Sequence, residues 1–205
     1  MEPNRRPLKT RSSHWAKQTA SFLAGSNISP NQISVASIFF AVIGAALLLC
    51  YPNPAGLIGC ACCIQGRLIC NLLDGMVAIE GGKQSALGPI YNEFPDRIAD
   101  AILIVALGYA IELPWIGWFG ALMAALTAYV RVAGGALGLP QDFRGPLAKP
   151  HRMAVMTAGC LLGALEVAVF GTNYALIVAA FIIAFGAALT CILRTRVIAG
   201  QLRRL

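Results

Sequence analysis

Long apolar runs separated by short polar or Pro/Gly-containing breaks dominate the chain. Six runs stand out, over residues 32–50, 55–79, 93–111, 115–139, 153–170 and 174–193. A bilayer's hydrocarbon core is crossed by about 20 helical residues at about 1.5 Å each, and every run meets or approaches that length. The breaks fall at Pro52 and Pro54, from Gly81-Gly82 to Gly88-Pro89, at Pro114, from Pro140 to Pro150, and at Gly171-Thr172-Asn173. Ahead of the first run, Ser29-Pro30-Asn31 reads as a helix cap and turn. Residues 13–23 form a short amphipathic pattern, with Trp15, Phe22 and Leu23 set against Lys17 and Gln18. This pattern predicts an interfacial helix, Trp at headgroup depth and Lys toward an anionic surface. The expected architecture is an all-α membrane protein. An N-terminal segment, 1–30, carries the interfacial amphipathic helix, and a membrane domain, 31–205, has six transmembrane helices.

Composition agrees. Of 205 residues, 58% are hydrophobic and 12% charged, with mean hydropathy +0.70. Soluble domains carry roughly 25% charged residues. The first thirty residues are polar and basic and lack the apolar stretch of a cleavable signal peptide. The seven cysteines all sit in apolar runs; Cys60, Cys62 and Cys63 cluster there, yet all seven read as small buried hydrophobes and not as metal ligands.

The net charge of +7 raises the question of an anionic partner. Thirteen of the sixteen Lys and Arg residues lie before the first run or in the alternate segments that share its side, and the remaining three, Arg67, Arg97 and Arg131, lie inside runs near that side. The opposite connections, 51–54, 112–114 and 171–173, carry none. By the positive-inside bias, both termini and the connection after the second run are expected to face the cytoplasm, in an inner or cytoplasmic membrane. The charge is therefore a topology and lipid signal and not a nucleic-acid footprint.

Candidate chemistry is concentrated in 65–100, which holds five of the nine acidic residues: Asp74, Glu80, Glu93, Asp96 and Asp100. Carboxylates at membrane depth are costly without a partner, which makes them functional candidates. Helical spacing puts Arg67, Asn71, Asp74, Gly75 and Ala78 on one face of the second span, and Asn92, Asp96 and Asp100 on one stripe of the third. Two such stripes at one end of the bundle offer oxygen ligands to a hard divalent cation that also takes substrate phosphates.

At these residues the chain resembles the CDP-alcohol phosphotransferase (CDP-alcohol phosphatidyltransferase) family, whose motif is D-x-x-D-G-x-x-A-R-x8-G-x3-D-x3-D. Without gaps, its four Asp positions fall on Asn71, Asp74, Asn92 and Asp96, its glycines on Gly75 and Gly88, its Ala on Ala78 and its Arg on Ile79. A shifted register would place the last two Asp positions on Asp96 and Asp100, but it breaks the x8 spacing. The chain is thus a variant with Asn at the first and third Asp positions and no motif arginine. Asparagine can offer its carbonyl oxygen but no charge. A site for two divalent ions is left short of negative charge, which favours one Mg²⁺ or a rearranged pair, with Asp100, and more weakly Glu93, as substitutes.

The resemblance implies a metal-dependent phosphatidyltransferase of phospholipid biosynthesis. A phosphatidyl or other substituted phosphoryl group passes from a CDP-linked donor to an alcohol, with release of CMP and Asp96 as general base. The implied ligands of Mg²⁺ or Mn²⁺ are Asn71, Asp74, Asn92, Asp96 and Asp100. Donor binding falls to Asn71, Asp74, Gly75, Ala78 and Gly88, with Arg67 or Lys83 replacing the missing arginine. The basic segment 141–152 supplies acceptor candidates Arg144, Lys149, His151 and Arg152, joined by Arg131 from the fourth span. A homodimer is a further family expectation. Two rivals stay open: an inactive relative that binds CDP-lipid, and a small cation- or proton-coupled transporter using the acids as a relay.

Overall fold

The computed structural model describes residues 13–204; the basic residues Arg5, Arg6, Lys9 and Arg11 lie outside this range. It is built from seven helices: α1 (His14–Ala24), α2 (Pro30–Cys50), α3 (Pro54–Glu80), α4 (Gly88–Ala110), α5 (Pro114–Ala136), α6 (Lys149–Phe170) and α7 (Tyr174–Leu202). No strand occurs among the described residues.

Local chemistry starts and stops these helices. Each of α2 to α6 has proline in its first two positions, where a missing N–H costs no intrahelical bond. At the start of α2, Ser29 and Gln32 form a reciprocal capping box, with bonds of 3.2 and 2.9 Å. The Asn53 side chain accepts from Gly56 N at 2.9 Å to cap α3. Gly171, at φ 69°, ends α6 in the left-handed conformation that glycine adopts without strain. Glu166, near that end, accepts hydrogen bonds from Thr172, Tyr174 N and Ala175 N, and so caps α7 with a carboxylate.

Three helices are longer than the hydrophobic pattern predicts. α4 begins five residues before 93 and α6 four before 153, because Pro89 and Pro150 open helices instead of ending the preceding breaks. α7 continues nine residues past 193, since Thr190 and Arg194 on its inner face find partners described below.

Packing closes a ring. α2 lies against α3 and α4, α5 against α4 and α7, and α6 against α3 and α7, while α1 lies along α3. Small and branched apolar residues such as Ala41, Ile64, Leu103, Ile183 and Ala184, with the unbranched Met156, fill the centre. Large apolar residues, among them Phe39, Leu162, Leu165 and Phe185, point outward. That inverted surface suits lipid and would not suit water. Among the described residues, five helices are long and apolar enough to cross a membrane. The remaining long helix, α4, has 23 residues but carries Glu93, Asp96, Arg97 and Asp100, so composition alone does not qualify it.

The α4–α5 contact depends on two glycines. A Cβ on Gly108 would lie 2.6 Å from Gly117 Cα, and one on Gly117 would lie 2.9 Å from Gly108 Cα. Backbone meets backbone here, so nothing flexible can yield. Gly134 similarly admits Ile198 of α7. The small residues of α5 thus serve contacts within the chain. Gly117→Val is expected to cost about 1–3 kcal/mol, as overpacking usually does, and to lower the thermal unfolding midpoint in detergent.

Candidate active site

A cavity of about 560 Å³ opens at the end of the bundle where α3 finishes and α4 and α6 begin. Every element but α2 contributes to its wall: Trp15 of α1, Gln65 and Asn71 of α3, Asn92, Glu93, Asp96 and Arg97 of α4, Thr127 and Arg131 of α5, Phe143 of the α5–α6 connection, Lys149 and Arg152 of α6, and Arg194 of α7. Five cations therefore face two carboxylates, and the cavity is suited to an anion.

The polar wall is a network with open valences. Asp100 is wholly engaged: Oδ1 accepts from Arg67 Nη2 at 2.5 Å and Oδ2 from Arg152 Nη2 at 2.9 Å. Arg67 is fully buried and also bonds Asp96 O at 3.3 Å. Asp96 pairs with Lys149 through Oδ2, while its Oδ1, buried, has no hydrogen-bond partner. Arg97 Nη2 stands 3.7 Å from Asp96 Oδ2. The other buried side-chain atoms without a partner, among the described residues, are Asn71 Nδ2 and the Nε atoms of Arg67, Arg97 and Arg152. Four of these five atoms belong to residues on the cavity wall, and the fifth belongs to Arg67, bonded to Asp96. Unsatisfied buried polar groups are costly, so their gathering in residues of one wall makes it a candidate site for a polar ligand.

The sequence-derived site residues separate into those that meet here and those that do not. Asn71, Asn92, Asp96, Arg131, Lys149 and Arg152 share the cavity. Asp74 sits beside it, within electrostatic range of Asp96 and Lys149; its carboxylate accepts from Ser34 Oγ of α2 at 2.6 Å and from Gly75 N at 2.5 Å. Asp100 was expected as a metal ligand, but guanidinium groups hold both of its oxygens. Arg67 was expected near the donor pyrophosphate, yet it is locked inside the protein by Asp100. Glu93, the weaker substitute carboxylate, is paired with Arg131. Lys83 lines a different recess, donating to Ser26 O at 2.5 Å and Ile28 O at 3.2 Å, where it fastens the α3–α4 connection to the α1–α2 turn. Gly75, Ala78 and Gly88 are absent from the cavity wall, as are Arg144 and His151, whose side chains are exposed.

Arg144 is held by its neighbour. Its backbone N–H and its guanidinium both bond Asp142, at 2.9 to 3.2 Å. Partial burial would raise the Asp142 carboxyl, but these bonds prevail and keep it below the usual carboxylate range.

Sequence reasoning missed Arg194, counting it only as terminal positive charge. It is 5% exposed; Nε donates to Arg144 O at 2.7 Å and Nη1 to Thr127 O at 2.8 Å, so it joins α7 to α5 and to the connection before α6. A helical stripe running through Gly186, Thr190 and Arg194 was the available signal. Thr190 accepts from Leu147 N at 3.0 Å and packs where a Cβ on Gly145 (φ 132°) would fall.

Oxygen donors suited to one divalent cation are present: the unpartnered Asp96 Oδ1, the amides of Asn71 and Asn92 on the same wall, and Asp74 adjoining. Rotating the Asn71 amide would present its oxygen in place of the unpartnered NH₂. Two carboxylates balance one such ion. Among the described residues, no three His, Cys, Asp or Glu side chains converge as a ligand group, so the oxygen donors gathered here are two carboxylates and two amides.

Comparison with known proteins places this geometry. The family model for CDP-alcohol phosphatidyltransferase matches residues 27–192. The chain belongs to the CDP-alcohol phosphatidyltransferase family. The matched region contains the entire cavity wall except Trp15 of α1 and Arg194 near the end of α7. Among relatives of this phosphatidyltransferase, the archaetidylinositol phosphate synthase of Aeropyrum pernix is 30% identical over 92% of both chains. The bifunctional IPC transferase and DIPP synthase of Rubrobacter xylanophilus is 34% identical over 71% of this chain, which spans about a third of that protein's length. The fold is that of the Mycobacterium tuberculosis phosphatidylinositol phosphate synthase. Its structure with CDP-DAG bound aligns at TM-score 0.75 and 22% identity, covering 91% of this chain and 94% of that one. Its complex with manganese and citrate aligns at 0.76 and 21%, covering 89% and 88%.

Proposed function

We propose that this phosphatidyltransferase transfers the phosphatidyl group of a CDP-linked lipid to a phosphorylated polyol of the inositol phosphate kind, releasing CMP. The observation that carries the reading is the cationic cavity of Arg97, Arg131, Lys149, Arg152 and Arg194 around the unpartnered oxygen of Asp96. One anionic substrate does not need that many cations, whereas a pyrophosphate donor and a phosphate-bearing acceptor do. The names of the relatives point to the same acceptor class.

In this reading, Asp96 Oδ1 takes the proton of the acceptor hydroxyl. The hydroxyl oxygen forms a bond to the phosphorus remote from cytidine, the bond from that phosphorus to the bridging oxygen breaks, and CMP departs with the electron pair. Arg131, held by Glu93, Gln141 and the Phe143 ring, orients the acceptor phosphate together with Arg152 and Arg194. Asp74, Asp96, Asn71 and Asn92 would hold one divalent cation, Mg²⁺ or Mn²⁺. When bound, it neutralises charge developing on the leaving phosphate. Trp15, Leu68, Ile69 and Leu72 give the cavity an apolar flank for the donor's lipid portion. The proposed setting is a six-span domain with cytoplasmic termini, α4 crossing as the sixth span, α1 at the interface, and a homodimer as the assembly.

Purified protein in detergent with CDP-diacylglycerol, inositol phosphate and Mg²⁺ is expected to release CMP, and excess EDTA to stop it. Membrane-catalysed ion flux without CMP release would favour the transporter. Donor binding with no turnover under any divalent ion would favour the inactive relative, which the two Asn substitutions make a real competitor.

A further inference from the structure

Asp96 is surrounded by fixed positive charge. Lys149, from the first turn of α6, pairs with Oδ2; Arg67 Nη2 lies 3.6 Å from Oδ1 and Arg97 Nη2 3.7 Å from Oδ2. Around it, every other acid of the cavity wall or its backing is already balanced by an arginine: Glu93 by Arg131, Asp100 by Arg67 and Arg152. Asn71 and Asn92 occupy wall positions without contributing charge. Only Asp74 and Asp96 remain to balance a cation, and one of them already carries an ammonium group.

We infer that Lys149 is a built-in cation of this site, standing on Asp96 where further metal charge would otherwise be needed, so that the chain loads a single divalent ion. The inference rests on the metal-dependent transfer proposed above and specifies its metal stoichiometry. A lysine that acts this way opposes the metal by like-charge repulsion, while its positive charge assists the substrate phosphates. A lysine that only binds substrate, or only packs α6 against α4, would leave metal affinity unaltered. The amides belong to the same logic: restoring Asp at 71 and 92 adds the two negative charges that a second ion needs.

The test is Mn²⁺ titration of the purified full chain in detergent, read by electron paramagnetic resonance, with CMP release measured in parallel. Wild type is expected to bind one Mn²⁺ per chain with the spectrum of an isolated ion. The Asn71→Asp/Asn92→Asp variant is expected to bind two, with the loss of signal that spin coupling produces. Lys149→Gln is expected to bind Mn²⁺ about tenfold more tightly, having lost one like charge beside the ion, and to turn over more slowly. Lys149→Arg, which keeps the charge, serves as the folding control and is expected to retain wild-type affinity. Two Mn²⁺ ions on wild type, none at all, or a Lys149→Gln affinity equal to that of wild type would overturn the inference. One tightly bound ion without CMP release would uphold it and remove the transferase reading; two ions with CMP release would do the reverse.

Discussion

Asp96→Asn lowers CMP release by about 10²–10⁴-fold, the range that loss of a general base usually produces. The substitution keeps the shape of the side chain and an oxygen to accept from Lys149, so the fold should persist. It removes the proposed proton acceptor, whose buried Oδ1 accepts no hydrogen bond and lies 3.6 Å from Arg67 Nη2. Because Asp96 is also a proposed ligand of the cation, the comparison belongs at saturating Mn²⁺, with occupancy measured on the same sample. A rate within threefold of wild type under those conditions would show that another group takes the hydroxyl proton. A rate restored fully by excess Mn²⁺ would assign Asp96 to metal binding alone.

Asp100→Ala is expected to be the most destabilising single change in the site, at about 3–5 kcal/mol, the cost of breaking a buried ion pair from one side. It leaves Arg67 (0% exposed) and Arg152 (1%) as buried charges without their shared anion, and each already has an unpartnered Nε. Thermal unfolding in detergent reads the effect. The triple variant Arg67→Met/Asp100→Leu/Arg152→Met removes the whole network and is expected to recover part of the lost stability while remaining inactive, since Arg152 lines the cavity. If Asp100→Ala unfolds like wild type, the Arg–Asp–Arg arrangement is not what joins α3, α4 and α6 at this end. If it is stable but inactive, Asp100 serves the chemistry directly.

These two expectations give neighbouring aspartates on one helical stripe opposite roles, and nothing in the spacing of 92, 96 and 100 separates them. Both appear as acids on the inner face of a span. What divides them is which arginines arrive from elsewhere in the chain: Arg67 from 33 residues earlier and Arg152 from 52 later both hydrogen-bond Asp100, while Asp96 keeps an oxygen that accepts no hydrogen bond. Lys83 shows the same limit. With Arg67 it is a candidate from the sequence to replace the motif arginine, but it is spent on two carbonyls of the α1–α2 turn. Arg194 shows it in reverse, since its distance from the acidic stretch concealed a place on the same wall.

The sequence by itself determined the helical class, six long hydrophobic segments, a short amphipathic helix before them, and the stretch where chemistry would gather. Those properties are local: hydrophobic run length, proline and capping residues, and the spacing of a motif all act within a few residues of one another. Only the tertiary structure decided which charges are consumed in holding helices together and which remain open to a ligand. That outcome depends on partners brought together by the packing of the helix ring, where burial makes an unpaired charge costly and draws most of the arginines and carboxylates into pairs.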